Sequence, residues 1–533
     1  MTGRPVVIGA GPNGLVCATL LARAGLRPIV LDARDRPGGA AATTAIASGF
    51  RAPAFAHSVA IRPDVASAFD LASRGVRVMY PRIPAAVHTG DGRLLAMPAD
   101  VAQGADALKP FSTRDAERWP DFCATAMAIA SVVTRILDAV PPSIDGPSGH
   151  DLWTLARTGR QARRLGRARF YELLRWGPMP IADLAAEWFE TPALAALICS
   201  RGVLGMHAGP RSAGTAAQWL LQSAVEGHPL GLPGMTAGGP GALADALAQA
   251  AVQAGAEIRS GAAVTRIEVD ERGARGVTLQ DGTTLESSTV VSSADPRQTF
   301  LDLIDPVWLA PSFRQQLRNY RCRGVLAKVN LALSAMPRWT GLDGPAPEEA
   351  LSGRLIVGGT PDDIERAFDC VKYGQMSPRP WLEVTMPSIL DPDLAPAGAH
   401  VMSVYMQWAP YELRDGSWDD RRDELASTVI RRLAEVAPDL PSRVVAVETM
   451  TPRDLERQLG LTGGQIFHGE HALDQLYAMR PVLGWAQHRT PIAGLYLCGS
   501  GTHPGGGITG APGAHAARVI LRAMRKGNRS DRV

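Results

Sequence analysis

The chain has 533 residues, of which 55 are Lys or Arg and 52 are Asp or Glu, so its formal net charge is only +3. A chain of this length exceeds what one hydrophobic core supports, and we expect two or three domains. The near balance of charges argues against a nucleic-acid-binding protein, and contents of 46% hydrophobic and 20% charged residues are those of an ordinary globular chain.

The first 40 residues predict a strand, a glycine turn, a helix and a second strand. Residues 5–8 form a short apolar strand, residues 13–24 a helix of small residues, and residues 27–31 a buried parallel strand. This order defines a βαβ unit. Because the first strand begins almost at once, we expect no signal or transit peptide in front of it and a cytoplasmic location.

Residues from about 110 to 225 have a helical pattern and include a basic segment. Its arginines are interleaved with aromatic and aliphatic residues: Arg157, Arg160, Arg163, Arg164, Arg167, Arg169 and Arg175. This pattern is typical of a solvated amphipathic face. A membrane-surface or lid helix is the alternative, since arginines opposite apolar side chains suit an anionic interface. No uninterrupted apolar run reaches the roughly 18 residues expected of a spanning helix.

From residue 238 the pattern returns to alternating helices and strands. A helix over 241–255 precedes short strands at 257–258, 264–269, 276–279, 283–285 and 290–294. A second strand-rich stretch comprises 325–333, 382–385 and 401–407, and the chain ends with a strand from Leu495, a glycine turn and a helix over about 510–525. The glycines at 238–241 are interpreted as a turn and helix start, because they lack the spacing and the acidic residue of a nucleotide site.

The glycine turn after the first strand has the spacing of a nucleotide-binding loop. Gly9 permits the tight turn, Gly11 lets the backbone approach a pyrophosphate, and Gly14 lets helix and strand pack closely. The N-terminus of the helix that follows presents free N–H groups to phosphates. Asp32, at the end of the second strand, supplies a carboxylate for ribose hydroxyls. Together these residues predict a dinucleotide site rather than a chance glycine turn.

Two further glycine segments favour FAD over NAD. Arg36 precedes the doublet Gly38-Gly39, of the kind that flavoproteins place against the pyrophosphate and ribityl chain. Far downstream, Gly499 ends a strand, and residues 505–510 open the last helix. A helix N-terminus aimed at the flavin pyrimidine stabilises the negative charge of reduced flavin. A simple NAD dehydrogenase has no need of this distant second site.

These segments resemble the phytoene desaturase and amine oxidase superfamily of FAD proteins, through residues 9–40, 290–296 and 496–513. Other segments resemble the family of pyridine nucleotide-disulfide oxidoreductase domain-containing protein 2: residues 373–380, 386–388, 407–411, 464–469 and 495–507. The resemblance covers nearly the whole chain. It implies an α/β fold, with a discontinuous Rossmann-type FAD-binding domain and a mixed-sheet plus helical substrate domain. The redox disulfide in the family's name has no counterpart, because no two of the six cysteines form a C-x-x-C pair.

By this resemblance we assign the cofactor contacts residue by residue. They are Gly9, Gly11, Gly14, Asp32, Arg36, Gly38, Gly39, Val264, Gly499, Gly507 and Ile508. The backbone of Val264 is expected to meet the adenine, and the last three residues are expected to lie near the flavin ring. No metal site is expected.

Two side chains are candidates for the chemistry. Lys328 lies about where amine oxidases place a lysine that holds water against flavin N5; the alternative is a surface lysine on an edge strand. His503 lies within the flavin loop, where it can donate a proton or a hydrogen bond near the ring; the alternative is a structural loop residue.

We expect the FAD-binding domain to comprise residues 1–75, 230–300 and 480–533, and the substrate domain with its helical lid residues 76–229 and 301–479. The predicted activity is hydride transfer to FAD from an apolar, carotenoid-like or lipid-like substrate. The helical region is expected to supply a tunnel and a peripheral membrane contact.

Two alternatives to this activity stay open. One is a flavin amine oxidase, although residues 503–507 lack the aromatic pair that cages a substrate nitrogen. The other is a flavin-bound regulatory or interaction protein with little turnover. Without an NAD(P) domain, the predicted electron acceptor is oxygen, a quinone or another small molecule. The resemblance implies a mitochondrial location for the animal members of the family. For this chain we expect the corresponding location to be a bacterial-type cytoplasm.

Overall fold

The computed structural model describes residues 3–89, 91–342 and 347–530. Within them the strands are β1 (Val6–Ile8), β2 (Ile29–Leu31), β3 (Thr43–Ala47), β4 (Phe50–Pro53), β5 (Val78–Met79), β6 (Ala85–His88), β7 (Leu94–Met97), β8 (Met235–Thr236), β9 (Glu257–Arg259), β10 (Val264–Asp270), β11 (Gly273–Leu279), β12 (Thr284–Glu286), β13 (Val290–Ser292), β14 (Leu326–Leu333), β15 (Arg354–Val357), β16 (Leu382–Thr385), β17 (His400–Gln407), β18 (Val444–Met450) and β19 (Leu495–Leu497).

The helices of the same residues are α1 (Pro12–Arg23), α2 (Pro63–Ala68), α3 (Val101–Leu108), α4 (Thr113–Asp138), α5 (Gly149–Arg164), α6 (Gly166–Trp176), α7 (Ile181–Trp188), α8 (Pro192–Val203), α9 (Thr215–Glu226), α10 (Pro240–Gln253), α11 (Pro311–Asn319), α12 (Pro347–Ala350), α13 (Pro361–Val371), α14 (Pro387–Leu390), α15 (Trp418–Ala434), α16 (Leu440–Arg443), α17 (Pro452–Leu459) and α18 (Ala511–Ser530).

A five-stranded parallel sheet, in the order β19-β13-β1-β2-β9, joins the two ends of the chain. Val6 pairs with Ile29 on one side and Val290 on the other, and Val290 pairs in turn with Leu495. The strands β1, β2 and β13 are fully buried three-residue runs, as expected for parallel strands covered on both faces. The C-terminal strand therefore lies only one strand away from β1.

The two faces of this sheet are covered differently. On one face α1, α10 and α18 bury Leu15, Leu247 and Ile520 in a single apolar cluster. On the other face lies the antiparallel sheet β10-β11-β12, whose Ile267 and Val277 pack in a second cluster with the parallel strands. The close crossing of α1 and α18 sets the N-termini of both helices side by side.

A second, seven-stranded sheet has the order β18-β14-β17-β16-β15-β6-β7. Its neighbours are antiparallel except for β15 and β6, which run parallel. The strand β14 lies between β18 and β17, and all eight of its residues are buried. Helices of the region 101–226 pack around an aromatic core that includes Trp119, Phe122, Trp176 and Trp219. This part of the fold is therefore a mixed sheet with a helical layer.

The predicted fold class is confirmed: a parallel Rossmann-type sheet is joined to a mixed sheet and a helical region. The strands of the parallel sheet come from the three predicted segments of the FAD-binding domain, but the exact domain boundaries stay a prediction. The predicted Asp281-Gly282 hairpin forms between β11 and β12. The last helix ends at Ser530, beyond the predicted end near residue 525.

Among the residues that the structure describes, one helix, α4, is long and apolar enough by length and composition to cross a membrane. Its Trp119, Phe122 and Ile129 are buried in the aromatic core of the helical region. A core helix of a globular protein passes the same test, because it needs the same apolar composition.

Candidate functional site

The loop between β1 and α1 leaves room for a ligand at one glycine and none at another. A side-chain carbon on Gly14 would lie 2.1 Å from the carbonyl oxygen of Gly9, so only glycine allows the helix to pack here. A side-chain carbon on Gly11 would meet only the Cα of Gly39, at 4.0 Å. Gly9 itself has φ +92°, which favours glycine. Gly14 is therefore required by packing, whereas Gly11 has the open surface expected for a pyrophosphate.

Asp32 is buried at the end of β2 and holds the glycine loop in place. Its carboxylate accepts hydrogen bonds from the backbone N–H of Ala10 at 2.7 Å and of Arg34 at 2.9 Å. Gly38 donates to the carbonyl oxygen of Ala10, which folds the glycine doublet back onto the first loop. The predicted residues Gly9, Gly11, Asp32, Gly38 and Gly39 thus meet at one edge of the parallel sheet.

Arg34, which is not among the predicted residues, contacts both Asp32 and the glycine doublet. Arg34 forms an ion pair with Asp32 at 3.4 Å and donates to the carbonyl oxygen of Gly39 at 3.1 Å. Arg36 is exposed. Since Arg34 is two residues beyond Asp32, the sequence already offered a signal for it, and the role given to Arg36 stays a prediction.

The predicted adenine contact at Val264 lies on the same side of the sheet. The turn before β10 bonds to the segment after β2, because Ala262 donates to the carbonyl oxygen of Asp32 at 2.8 Å. Gly261 donates to the carbonyl oxygen of Arg34 at 2.9 Å. Val264 begins β10 two residues after Ala262, which is bonded to the Asp32 backbone. The contact of Val264 with adenine stays a prediction.

The C-terminal glycine segment meets the first glycine loop directly. Asn13, in the first turn of α1, donates from its side chain to the Ser500 hydroxyl at 3.1 Å. A side-chain carbon on Gly513 would lie 2.1 Å from the carbonyl oxygen of Asn13. The first turns of α1 and α18 are therefore in contact, and two helix N-termini with their unpaired N–H groups converge on one region.

The loop before α18 extends towards the seven-stranded sheet. Gly507 has φ +114° and Ile508 φ +53°, so the chain turns sharply here. Ile508 packs against an apolar cluster that includes Phe55, Leu204 and Leu326. This cluster joins the glycine segment of the nucleotide-binding part to strand β14.

Lys328 lies on β14, an interior strand between β18 and β17 of the seven-stranded sheet, so the alternative of a surface lysine on an edge strand is wrong. Its side chain is fully buried, and Nζ donates to the carbonyl oxygen of Phe55 at 2.6 Å. The Tyr405 hydroxyl donates to the same carbonyl at 2.8 Å. Burial lowers the pKa of Lys328 well below its usual range, although Glu448 and Glu383 oppose this shift. Lys328 and Ile508 thus both lie beside the Phe55 segment, where burial disfavours the charged form of the amine.

His503 is buried behind the C-terminal loop. Its Nε2 bonds the carbonyl oxygen of Ile136 at 3.0 Å, and its ring lies 6.1 Å from that of His515. Burial lowers the pKa of His503 to about 3. A neutral ring that already donates to a backbone carbonyl favours the structural interpretation, and a role in the chemistry stays a prediction.

A buried charged cluster next to Lys328 is not among the predicted residues. Glu383 pairs with Tyr405 across the sheet, and its carboxylate lies 3.4 Å from Nδ1 of His57. Arg201 and Arg354 approach the same carboxylate at 3.6 and 3.9 Å. Burial alone would raise the pKa of Glu383, but His57 and both guanidinium groups hold it at about 2. The sequence gives no sign of this cluster, because its members come from separate elements.

Arg480 is a second unpredicted residue, and it fixes the C-terminal loop. Its fully buried guanidinium donates to the carbonyl oxygens of Ser500 at 2.8 Å and Phe467 at 2.6 Å, and also to those of Gly469, Glu470 and Gln475. It therefore ties the segment 467–475 to the residue that follows Gly499.

These residues define a class of protein. Open backbone at Gly11, a carboxylate after β2 and two converging helix N-termini fit the phosphates and ribose of a dinucleotide. The glycine segment at 505–510, which reaches the buried Lys328 region, fits the flavin end. The fold and site are those of an FAD-dependent oxidoreductase.

Comparison with known proteins agrees with this class. Residues 13–521 match the family described as flavin containing amine oxidoreductase, and the chain belongs to it. FAD is accordingly its cofactor. The chain is 33% identical to rat pyridine nucleotide-disulfide oxidoreductase domain-containing protein 2, over 98% of this chain and 93% of that protein.

Two more distant relatives have names that describe chemistry. The chain is 25% identical to the lycopene-forming phytoene desaturase of Pseudescherichia vulneris, over 97% of this chain and 98% of the relative. A solved structure of putrescine oxidase bound to putrescine superposes with a TM-score of 0.62 at 16% identity, covering 98% of this chain and 99% of the other. This last similarity shows the fold alone.

The two loop glycines give a first prediction. Gly11→Ala should fold normally, because the new methyl group has space, but FAD affinity should fall at least about tenfold as the backbone can no longer approach the pyrophosphate. Gly14→Ala should instead lower the free energy of unfolding by about 1–3 kcal/mol or more, because its methyl group overlaps the Gly9 carbonyl. Thermal unfolding and flavin absorbance after purification separate the two. Equal loss of stability in both variants would contradict this division.

Buried neutral histidines predict that the protein is unstable to acid. Burial lowers the pKa to about 3 or 4 in each of His57, His228, His468, His488 and His503. Below pH 6.5 the unfolded chain binds protons that the folded chain does not, so stability falls as pH decreases from 6.5 towards 4. Each group contributes about 1.4 kcal/mol per pH unit in this window.

Urea unfolding between pH 7.5 and 5 measures this slope. His488→Gln should reduce the slope by about one proton, whereas His150→Gln should leave it unchanged, because His150 is exposed. A free energy of unfolding that stays constant down to pH 5 would be incompatible with neutral buried histidines.

Proposed function

We propose that the enzyme removes hydride from an apolar, carotenoid-like or lipid-like substrate. The observation that carries this proposal is the apolar surrounding of the C-terminal glycine loop. Ile508 packs with Phe55, Leu204 and Leu326, which are all apolar and come from three separate parts of the chain. A substrate made mainly of hydrocarbon is matched to such walls, because its transfer from water is favourable. The name of the phytoene desaturase relative supports the same substrate class.

Bound FAD supplies the hydride acceptor. The chain's own contribution is to hold the cofactor, to exclude water and to handle a proton. Introducing a carbon–carbon double bond removes a hydride and a proton from adjacent carbons, and an uncharged amine is able to take the proton. Lys328 is the residue proposed for this role at Nζ, because it is buried, has a lowered pKa and lies against Phe55.

Amine oxidation is the second candidate. It is favoured by the buried Lys328 and by the stacked rings of His57 and Tyr405 beside this lysine. The centroids of the two rings are 3.5 Å apart. A polar aromatic face is a suitable neighbour for a substrate nitrogen. Residues 503–507 nevertheless contain no aromatic side chain other than His503. The low-turnover alternative requires that no substrate of either class reduces the flavin.

A substrate panel under anaerobic conditions tests the proposal. An acyclic polyene supplied in detergent micelles should bleach the flavin absorbance and gain a double bond, and putrescine should leave it unchanged. Bleaching by primary amines with release of an aldehyde would replace the proposal with amine oxidation. Photoreduced enzyme mixed with air or with a soluble quinone identifies the acceptor. Slow reoxidation by both would support the low-turnover alternative.

A peripheral membrane contact belongs with this proposal, because hydrocarbon substrates are dissolved in membranes. The basic helices α5 and α6 are its proposed surface. All seven of their arginines are exposed, and so are Leu152, Trp153, Tyr171 and Leu174. Exposed apolar and cationic side chains on one helical pair suit the interface of an acidic bilayer.

A further inference from the structure

An open cavity of about 930 Å³ lies behind the C-terminal flavin loop. It is bounded by the end of α4, by α5, by the segment 487–489 and by α18. His503 of the flavin loop bonds Ile136, and the residues that follow Ile136 line the cavity. Its volume is that of a small-molecule site rather than of a packing defect. None of the cofactor contacts lies in its wall.

The wall of the cavity is strongly basic. Five arginines line it: Arg135, Arg157, Arg489, Arg518 and Arg522. Within residues 3–89, 91–342 and 347–530, no carboxylate forms an ion pair with Arg157, Arg489 or Arg522. Three guanidinium groups that face one cavity without counter-ions predict an anionic ligand, because guanidinium matches phosphate oxygens in a bidentate manner.

The two carboxylates of the wall do not cancel this charge. Asp138 forms an ion pair with Arg62 at 2.5 Å. Asp151 is held at the N-terminus of α5, where it accepts from the backbone N–H of Ser148 at 2.8 Å. Asp138 is already paired outside the wall, and five arginines outnumber the two carboxylates, so the cavity keeps a net positive charge.

The helix α5 carries exposed apolar side chains in the cavity wall and beside it. Trp153 is 57% exposed and lies in the wall, and the Arg157 guanidinium stacks over its ring at 5.2 Å. Leu152 and Leu155 are 56% and 44% exposed on the same helix. A soluble phosphate compound has no need of these side chains, whereas a phospholipid presents a phosphate and an acyl chain together. These exposed side chains therefore favour a lipid.

We propose that this cavity binds the phosphate headgroup of an anionic phospholipid and so seats α5 on an acidic bilayer. The inference rests on the peripheral membrane contact of the proposed function. It assigns that contact to a defined binding cavity rather than to general electrostatic attraction between the helices and the bilayer. The phosphate lies among the cavity arginines, and Trp153 with Leu152 enters the acyl region.

The experiment compares charge reversal inside and outside the cavity. The FAD-loaded Arg489→Glu/Arg522→Glu protein alters two exposed wall residues that lie outside α5 and α6. The matched control, Arg163→Glu/Arg167→Glu, makes the same change in net charge on the exposed surface of those helices. Co-sedimentation is measured with vesicles of equimolar phosphatidylglycerol and phosphatidylcholine and with pure phosphatidylcholine. Flavin absorbance and thermal unfolding verify that both variants are folded.

The cavity variant should bind acidic vesicles at least about tenfold more weakly than the control variant. An equal loss in both variants would leave the membrane contact in place and overturn the cavity site. Absence of wild-type binding to acidic vesicles would overturn the membrane contact and the cavity site together, without affecting the proposed hydride chemistry. Stabilisation by glycerol 1-phosphate through the same arginines, without vesicle binding, would show a soluble phosphate ligand and refute the lipid.

Discussion

Lys328→Met is expected to slow flavin reduction by about 10²- to 10⁴-fold while FAD stays fully bound. Methionine fills the space of the lysine chain but has no basic nitrogen. The carbonyl oxygen of Phe55 loses one donor and keeps the Tyr405 hydroxyl at 2.8 Å, so no buried acceptor is left unpaired. Stability should therefore change little. Anaerobic stopped-flow absorbance with a reducing substrate measures the rate.

Two further variants separate the roles of the lysine. Lys328→Gln keeps an N–H donor for Phe55 but cannot take up a proton, so it should be as slow as the methionine variant. Lys109→Met removes an exposed lysine and should have no effect. The wild-type rate should rise with pH as the amine loses its proton, and this limb should vanish in both Lys328 variants. An unchanged rate at full FAD occupancy would remove Lys328 from the mechanism.

Arg480→Ala is expected to release FAD and to lower the free energy of unfolding by more than about 3 kcal/mol. The fully buried guanidinium donates to five backbone carbonyls, and alanine would remove this donor from each of them, although the Glu470 carbonyl keeps the side-chain amide of Gln475. Because one of these carbonyls belongs to Ser500, the glycine segment would lose its tie to residues 467–475. Flavin content after purification and the urea midpoint measure the two effects.

Arg321→Ala is the matched control for this prediction. Arg321 binds Glu470 and Asp474 in the same region, but its side chain is 32% exposed. Asp474 is exposed, and the buried Glu470 keeps its ion pair with Arg323 at 3.0 Å, so the loss should cost no more than about 1 kcal/mol. Arg480→Lys should recover only part of the stability, because an ammonium group has three donors and no planar fork. An Arg480→Ala protein that keeps FAD and wild-type stability would show that the loop is fixed by other contacts.

The nucleotide-binding half was predictable from sequence because its determinants are local. Gly9, Gly11 and Gly14 act through their backbone conformation and through the close approach of other groups to the backbone. Asp32 directly follows a strand that its run of apolar residues makes recognisable. The hairpin at Asp281-Gly282 and the boundaries of β16 were likewise set by short-range pattern. Arg34 lies close to Asp32 in the sequence, but its contact with Gly39 depends on the direction in which the turn points its side chain.

The sequence by itself determined the fold class, the cofactor and the two glycine segments expected to bind it, because a glycine spacing or an apolar strand can be recognised within a few residues. Only the tertiary structure decided that Lys328 is buried in an interior strand, that Arg480 ties two loops together, and that five arginines face one cavity. Lys328 and the cavity arginines owe their surroundings to residues hundreds of positions away, and Arg480 joins two loops that lie up to 20 positions from it. Burial and charge pairing are properties of packed neighbours, and neighbours of that kind exist only once the chain has folded.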